Sequence, residues 1–130
     1  MSDLIAALQQ EDYDLANEIL LDSPIMSVPS DSEDLVREMV SSSKQWELPY
    51  GLMQQSPGPV ISNLDKIDIP TLILVGEKDI SAVKEIGKFL MDGLPYADLI
   101  VIPEGRHLIN LSSPNAFNAE LERFIKFGHR

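Results

Sequence analysis

The chain has 130 residues, 44% hydrophobic and 24% charged; this predicts one folded domain, leaves no room for two of full size, and excludes a disordered chain. A formal charge of −11, spread along the chain rather than gathered in a tail, is repelled by phosphate backbones, so no nucleic-acid partner is expected. No apolar run approaches the ~18 residues of a membrane span, so no membrane partner is expected either. The absence of cysteine excludes disulfides and thiolate metal sites and fits a reducing, cytoplasmic setting.

The N-terminal stretch "MSDLIAALQQEDYD" is acidic and amphipathic, without the basic and apolar regions of a signal peptide. Leu4, Ile5, Leu8, Ala16, Ile19 and Leu20 form a helical apolar stripe, broken near "QQEDYD" into two short helices. "DSPIMSVPSD" reads as a loop, marked by Pro24 and Pro29. Ser30 and Glu33 have capping-box spacing, and Leu35, Val36, Met39 and Val40 follow as a second stripe. "LPYGLMQQSPGPV" holds three prolines and two glycines and cannot be one continuous helix. Residues 1–63 are thus expected to be a helical layer in need of something to pack on.

The texture changes over residues 64–130. "TLILVG", Thr71 to Gly76, is apolar at every position from Leu72 to Val75, as in a parallel strand with both faces covered. "ISAVKEIGKFLMDGLP" reads as a helix with Val83, Ile86, Phe89 and Leu90 on one face, Gly93 just past its end and Pro95 beyond. "DLIVIP", Asp98 to Pro103, is a second buried strand. Ser113 and Pro114 are placed as N-cap and first residue of a closing helix whose face is Phe117, Leu121, Phe124 and Ile125. The expected class is α/β, a partial sheet of parallel βαβα order behind an N-terminal helical region.

Parallel strands joined by a helix put both carboxyl ends on one rim, where functional groups collect in open α/β sheets. Here those ends are "GEKD" and "PEGRHLIN". Adjacent strands lie about 4.8 Å apart, so Asp79 and His107 on neighbouring strand-end loops can meet. A carboxylate bonded to one imidazole nitrogen fixes the tautomer and stabilises the imidazolium formed when the other takes a proton. The competing reading makes Asp79 a helix cap or a solvated charge, and His107 an ordinary loop histidine.

"LDKIDIPTLILVGEKD", "PEGRHLINLSSPNAFNAELERFI" and their separation resemble the C-terminal part of the α/β-hydrolase fold family. The resemblance implies that Asp79 is the acid and His107 the histidine of a catalytic triad, with Gly105 as the turn glycine. It also implies that residues 1–63 are like the helical cap many members insert, with Trp46, Met39 and Met53 available to line a pocket for a small apolar, ester-like ligand; ordinary core packing is the competing reading for each. The family's nucleophile lies in a G-x-S-x-G elbow. No serine here has that context: Ser41 to Ser43 end an amphipathic helix, and Ser112 and Ser113 precede one. Nor is there an HGGG-like oxyanion segment.

The isolated chain is therefore expected to be the inactive part of a truncated or split esterase-type hydrolase, or else a non-catalytic interaction module. A strand paired on one side only demands a cover. The candidates are a homodimer, a complementing N-terminal hydrolase half, or the N-terminal segment folded back. No cofactor is expected: Gly76, Gly87 and Gly93 form no nucleotide fingerprint, and His107 and His129 make a poor metal pair. Glu77 and Lys78 read as solvated loop charges.

Overall fold

The computed structural model describes residues 2–43 and 61–128. The chain divides into two compact units, Met1–Pro57 and Gly58–Arg130. Among the described residues the first holds three α-helices, α1 (Ser2–Gln9), α2 (Tyr13–Leu21) and α3 (Glu33–Ser42). The expected break between α1 and α2 is present. Glu11 turns the chain with a φ of +58°, and the Asp12 carboxylate accepts the Leu15 N–H at 3.1 Å as an N-cap. α1 packs on α2 and α2 on α3. Ala7, Ala16, Val28, Val36 and Val40 are buried among them, and Arg37 pairs with Glu18 across α2 and α3.

The capping box expected of Ser30 and Glu33 does not form. Ser30–Ser32 is a short 3-10 turn and Glu33 opens α3 itself, so its side chain is not three residues into the helix; the Ser32 hydroxyl donates to Asp31 instead. The expected loop around Pro24 contains a 3-10 turn, Pro24–Met26. Leu35 and Met39 belong to the expected stripe but face solvent, while Val36 and Val40 are buried. The stretch "LPYGLMQQSPGPV" lies outside the described residues.

The described part of the second unit runs from a 3-10 segment, Ile61–Lys66, through β1 (Thr71–Gly76), α4 (Ser81–Gly93), β2 (Ala97–Ile102), a single turn α5 (Ile109–Ser112) and α6 (Pro114–Phe127). β1 and β2 pair in parallel, Thr71 opposite Ala97 through Gly76 opposite Ile102, as the apolar runs predicted; among the described residues the sheet has two strands. α4 packs on both strands and α6 on β1. Among the described residues the core is small: Leu64, Val75 and Ile102 are the buried apolar side chains of this unit.

The face of α4 differs from expectation. Val83 and Leu90 are half-buried, but Ile86 and Phe89 face solvent. The residue that meets the sheet between Val83 and Leu90 is Gly87, where a Cβ would come within 2.8 Å of Val75 Cγ1. A helix resting on a glycine sits closer to the strands, and the apolar residues flanking that line turn outward. Gly93 also has a different role. It is the last helical residue, with no positive φ, and a Cβ there would lie 2.8 Å from Leu64 Cδ1. The closing helix starts at Pro114 as expected, but the Ser113 hydroxyl does not cap it; that hydroxyl donates to the Pro103 carbonyl at 3.1 Å and ties α6 to the end of β2. Phe117 and Phe124 are half-buried, while Leu121 and Ile125 are exposed.

Candidate active site

β1 ends at Gly76, and the next three residues turn back so that the Asp79 N–H donates to the Gly76 carbonyl at 3.1 Å. β2 ends at Ile102 and enters a four-residue turn closed by the Gly105 N–H on the Ile102 carbonyl, also 3.1 Å. Pro103 takes its second position and Glu104 its third, with a φ of +57°. Glycine usually fills that left-handed place. Gly105, the expected turn glycine, closes this turn and has a second role. It lies against Gly76, where any side chain would collide: a Cβ on Gly76 would stand 2.3 Å from the Gly105 carbonyl oxygen. The Lys78 N–H donates to that same oxygen at 2.8 Å. The two strand-end loops are thus in backbone contact because neither residue has a side chain.

This contact brings Asp79 and His107 together. His107 Nδ1 lies 3.0 Å from Asp79 Oδ1 and 3.1 Å from Oδ2. A carboxylate only accepts, so Nδ1 carries the proton and Nε2 of the neutral ring keeps its lone pair. Among the described residues Nε2 has no hydrogen-bond partner. The Asp79 side chain is 2% exposed and the His107 side chain 35%. A carboxylate so buried needs donors, and it has a second one, the Ile80 N–H at 2.7 Å. Ile80 is the N-cap residue of α4 and no side chain caps that helix, so Asp79 accepts an N–H beside the helix start without capping it, and it is not solvated.

Ser42 and Ser112 are engaged in local hydrogen bonds. The Ser112 hydroxyl accepts the Arg106 N–H at 2.9 Å and donates to the Leu108 carbonyl at 3.0 Å, and the Ser42 hydroxyl donates to the Met39 carbonyl. Met39 is exposed. Trp46, Met53 and His129 lie outside the described residues. Among the described residues no group of three or more His, Cys, Asp or Glu side chains is placed to hold a metal ion, and no helix is long and apolar enough to cross a membrane.

Glu77 and Lys78 are more than the solvated charges their sequence context suggests. The Glu77 carboxylate accepts the Glu104 N–H at 3.0 Å, the Lys84 ammonium donates to the Glu77 carbonyl at 3.1 Å, and the Lys78 ammonium pairs with the Glu104 carboxylate. No motif announces these contacts; the signal was the coincidence of charged residues at both strand ends, Glu77, Lys78 and Asp79 at one and Glu104 and Arg106 at the other.

No family profile matches the chain. Over 67 residues it is 36% identical to a pimeloyl-[acyl-carrier protein] methyl ester esterase of Neisseria meningitidis, a match covering 52% of this chain and 26% of that protein. Over 63 residues it is 33% identical to 3-oxoadipate enol-lactonase 2 of Acinetobacter baylyi, covering 48% of this chain and 23% of that one. The solved structure of MenH from S. aureus superposes with a TM-score of 0.71 at 18% identity, over 96% of this chain and 49% of MenH. These matches take in about a quarter of each curated relative and about half of the solved structure. A parallel strand pair with an Asp and a His joined at its carboxyl rim, together with these likenesses, places the chain in an α/β-hydrolase-fold relationship, as a partial version of that fold.

Proposed function

We propose that this chain supplies the proton-handling arm of an esterase-type α/β-hydrolase, with Asp79 orienting and His107 acting as general base and then general acid. The observation that carries this reading is the buried Asp79 carboxylate bonded to His107 Nδ1, which leaves Nε2 as the base. In such a reaction Nε2 takes the proton of an attacking hydroxyl as its oxygen bonds to the acyl carbon. The same proton then passes to the departing alkoxide as the ester C–O bond breaks. A water molecule repeats the sequence to release the acid and regenerate the hydroxyl. The names of two relatives, a methyl ester esterase and an enol-lactonase, support ester-like acyl substrates.

The hydroxyl and the oxyanion donors come, in this proposal, from residues outside these 130, on the same polypeptide or another. No G-x-S-x-G occurs within the sequence, and about half of MenH has no counterpart in it. The apolar surface of the second unit favours the same view. Ile69, Ile86, Phe89, Val101, Ile125 and Phe127 are all exposed, and β1 has one strand partner among the described residues. A complementing hydrolase segment that extends the sheet would bury such surface; residues 1–63 then act as the cap.

The test uses a nitrophenyl ester. The purified chain should show no turnover. Together with a segment bearing a strand, an elbow serine and a helix, it should hydrolyse the ester, and His107→Ala should abolish that activity. Turnover by the chain alone, lost in H107A, would refute an outside nucleophile. Full activity of the complemented H107A protein would refute the role given to the histidine. Sedimentation addresses the cover: a stable homodimer at micromolar concentration would replace the complementing segment with a second copy.

A further inference from the structure

Asp79 and His107 sit on separate loops, and something must hold those loops in register. Backbone contact between Gly76 and Gly105 sets how near they come, but a contact of this kind does not fix the conformation of the turn that follows β2. That turn has a weak point. Glu104 occupies the left-handed region at φ +57°, which costs a residue with a Cβ roughly 1–2 kcal/mol. Three residues later the chain reaches His107.

We propose that Glu77 is a positioning residue for the Asp79–His107 pair, acting by holding Glu104 in its left-handed conformation. Glu77 Oε2 accepts the Glu104 N–H at 3.0 Å. In a turn closed between its first and fourth residues, the N–H at the third position is not used internally. A carboxylate accepting it supplies a charge-assisted bond available only when that turn is formed. Glu77 is itself fixed at both backbone groups. Its N–H donates to the Ile102 carbonyl at 2.9 Å, and its carbonyl accepts the Lys84 ammonium at 3.1 Å. The side chain therefore reaches across from a backbone already tied to β2 and to α4. Glu77 precedes Asp79 by two residues, so one short segment carries both the acid and the group that sets the histidine's loop. The Lys78–Glu104 ion pair spans the same gap, but both side chains are more than half exposed, with values of 53% and 72%, and a pair in that setting contributes little.

This inference rests on the reading of Asp79 and His107 as a functional pair, and its test reads the pair directly. Imidazole 15N–1H correlation spectra of the full 130-residue chain report the His107 tautomer, and amide exchange reports the Glu104 N–H. Wild-type His107 should be in the Nδ1–H form. Glu77→Ala should convert it to a mixture with the Nε2–H form and accelerate Glu104 exchange by about tenfold, in line with the loss of one charge-assisted bond. Glu77→Gln retains an acceptor oxygen without the charge and should keep both readouts closer to wild type than Glu77→Ala does. Since Glu77 is exposed, both variants should fold, with circular dichroism as the check. An unchanged tautomer in E77A, or a Gln variant as disturbed as the Ala variant, would overturn the positioning role while leaving the pair itself standing. A wild-type His107 already in the mixed state would overturn the pair, and the positioning role with it.

Discussion

Gly76→Ala tests the geometry most severely. The added Cβ would stand 2.3 Å from the Gly105 carbonyl oxygen and 2.6 Å from the Arg106 carbonyl oxygen. Both are backbone atoms, so no side-chain rotation relieves the clash. Regaining a 3.4 Å contact requires the second loop to retreat by about 1.1 Å. A retreat of that size along the Asp79–His107 direction stretches a 3.0 Å hydrogen bond beyond its useful range. It also breaks the Lys78 N–H bond to Gly105. Overpacking against fixed atoms costs about 1–3 kcal/mol, and each kcal/mol moves the melting midpoint of a unit this size by roughly 4–8 °C. A fall of about 4–24 °C, with loss of the Nδ1–H tautomer of His107, is the expected result, read by thermal circular dichroism and imidazole NMR. Without the clash, alanine in a strand would stabilise by roughly 0.5–1 kcal/mol, because glycine loses more backbone entropy on folding. A G76A chain as stable as wild type or more so, with its tautomer intact, would therefore refute the loop contact. Gly87→Ala is the matched control. Its nearest neighbours are the Val75 Cγ1 and Leu99 Cδ1 methyls at 2.8 and 3.3 Å, which can shift, so a smaller loss and an undisturbed tautomer are expected.

Three further substitutions separate the contributions. His107→Ala leaves the buried Asp79 carboxylate with one fewer donor and should cost about 1–3 kcal/mol in urea unfolding; a neutral result would mean that water replaces the imidazole at no cost. Asp12→Ala removes the cap that accepts the Leu15 N–H and should cost about 1 kcal/mol, read by urea unfolding; an unchanged midpoint would mean that the cap bond contributes nothing. Lys78→Ala, which deletes an exposed ion pair, should change stability by less than about 0.5 kcal/mol and leave the His107 tautomer in place; a large effect would shift the clamp from Glu77 to Lys78.

The strands, the crossover helix and the meeting of Asp79 with His107 were legible because each follows from a local rule. Four consecutive apolar residues before a glycine mark a strand covered on both faces, and parallel order puts two carboxyl ends on one rim. What stayed illegible depended on one residue's surroundings in space. The periodicity of α4 assigned Ile86 and Phe89 to the covered face, since a hydropathy pattern gives glycine no weight, and the helix instead rests on Gly87. Gly93 sits where a helix end would welcome positive φ, yet it is required by a close approach to Leu64; Gly105 closes its turn as expected, but its close approach to Ile102 and Gly76 could not be read from the pattern. Ser30 with Glu33 and Ser113 with Pro114 carry capping signals, and both serine assignments failed. In the first case the helix starts late; in the second the hydroxyl finds a carbonyl across the turn.

The same distinction explains why Glu77 was invisible. Seen from the sequence, "GEKD" offers one residue with an evident task, the aspartate. The task of the glutamate exists only because Glu104, twenty-seven residues away, adopts a conformation that its own side chain disfavours. A sequence shows which residues tolerate a left-handed turn, but not which distant carboxylate makes an intolerant one adopt it. A site built across two loops therefore divides into two kinds of residue. The pair that would handle the proton is recognisable by chemical type. The groups that hold the pair in place are chosen by contact, and only the three-dimensional arrangement identifies them. Changing Glu77 tests this division, because the substitution leaves every residue recognisable by type untouched.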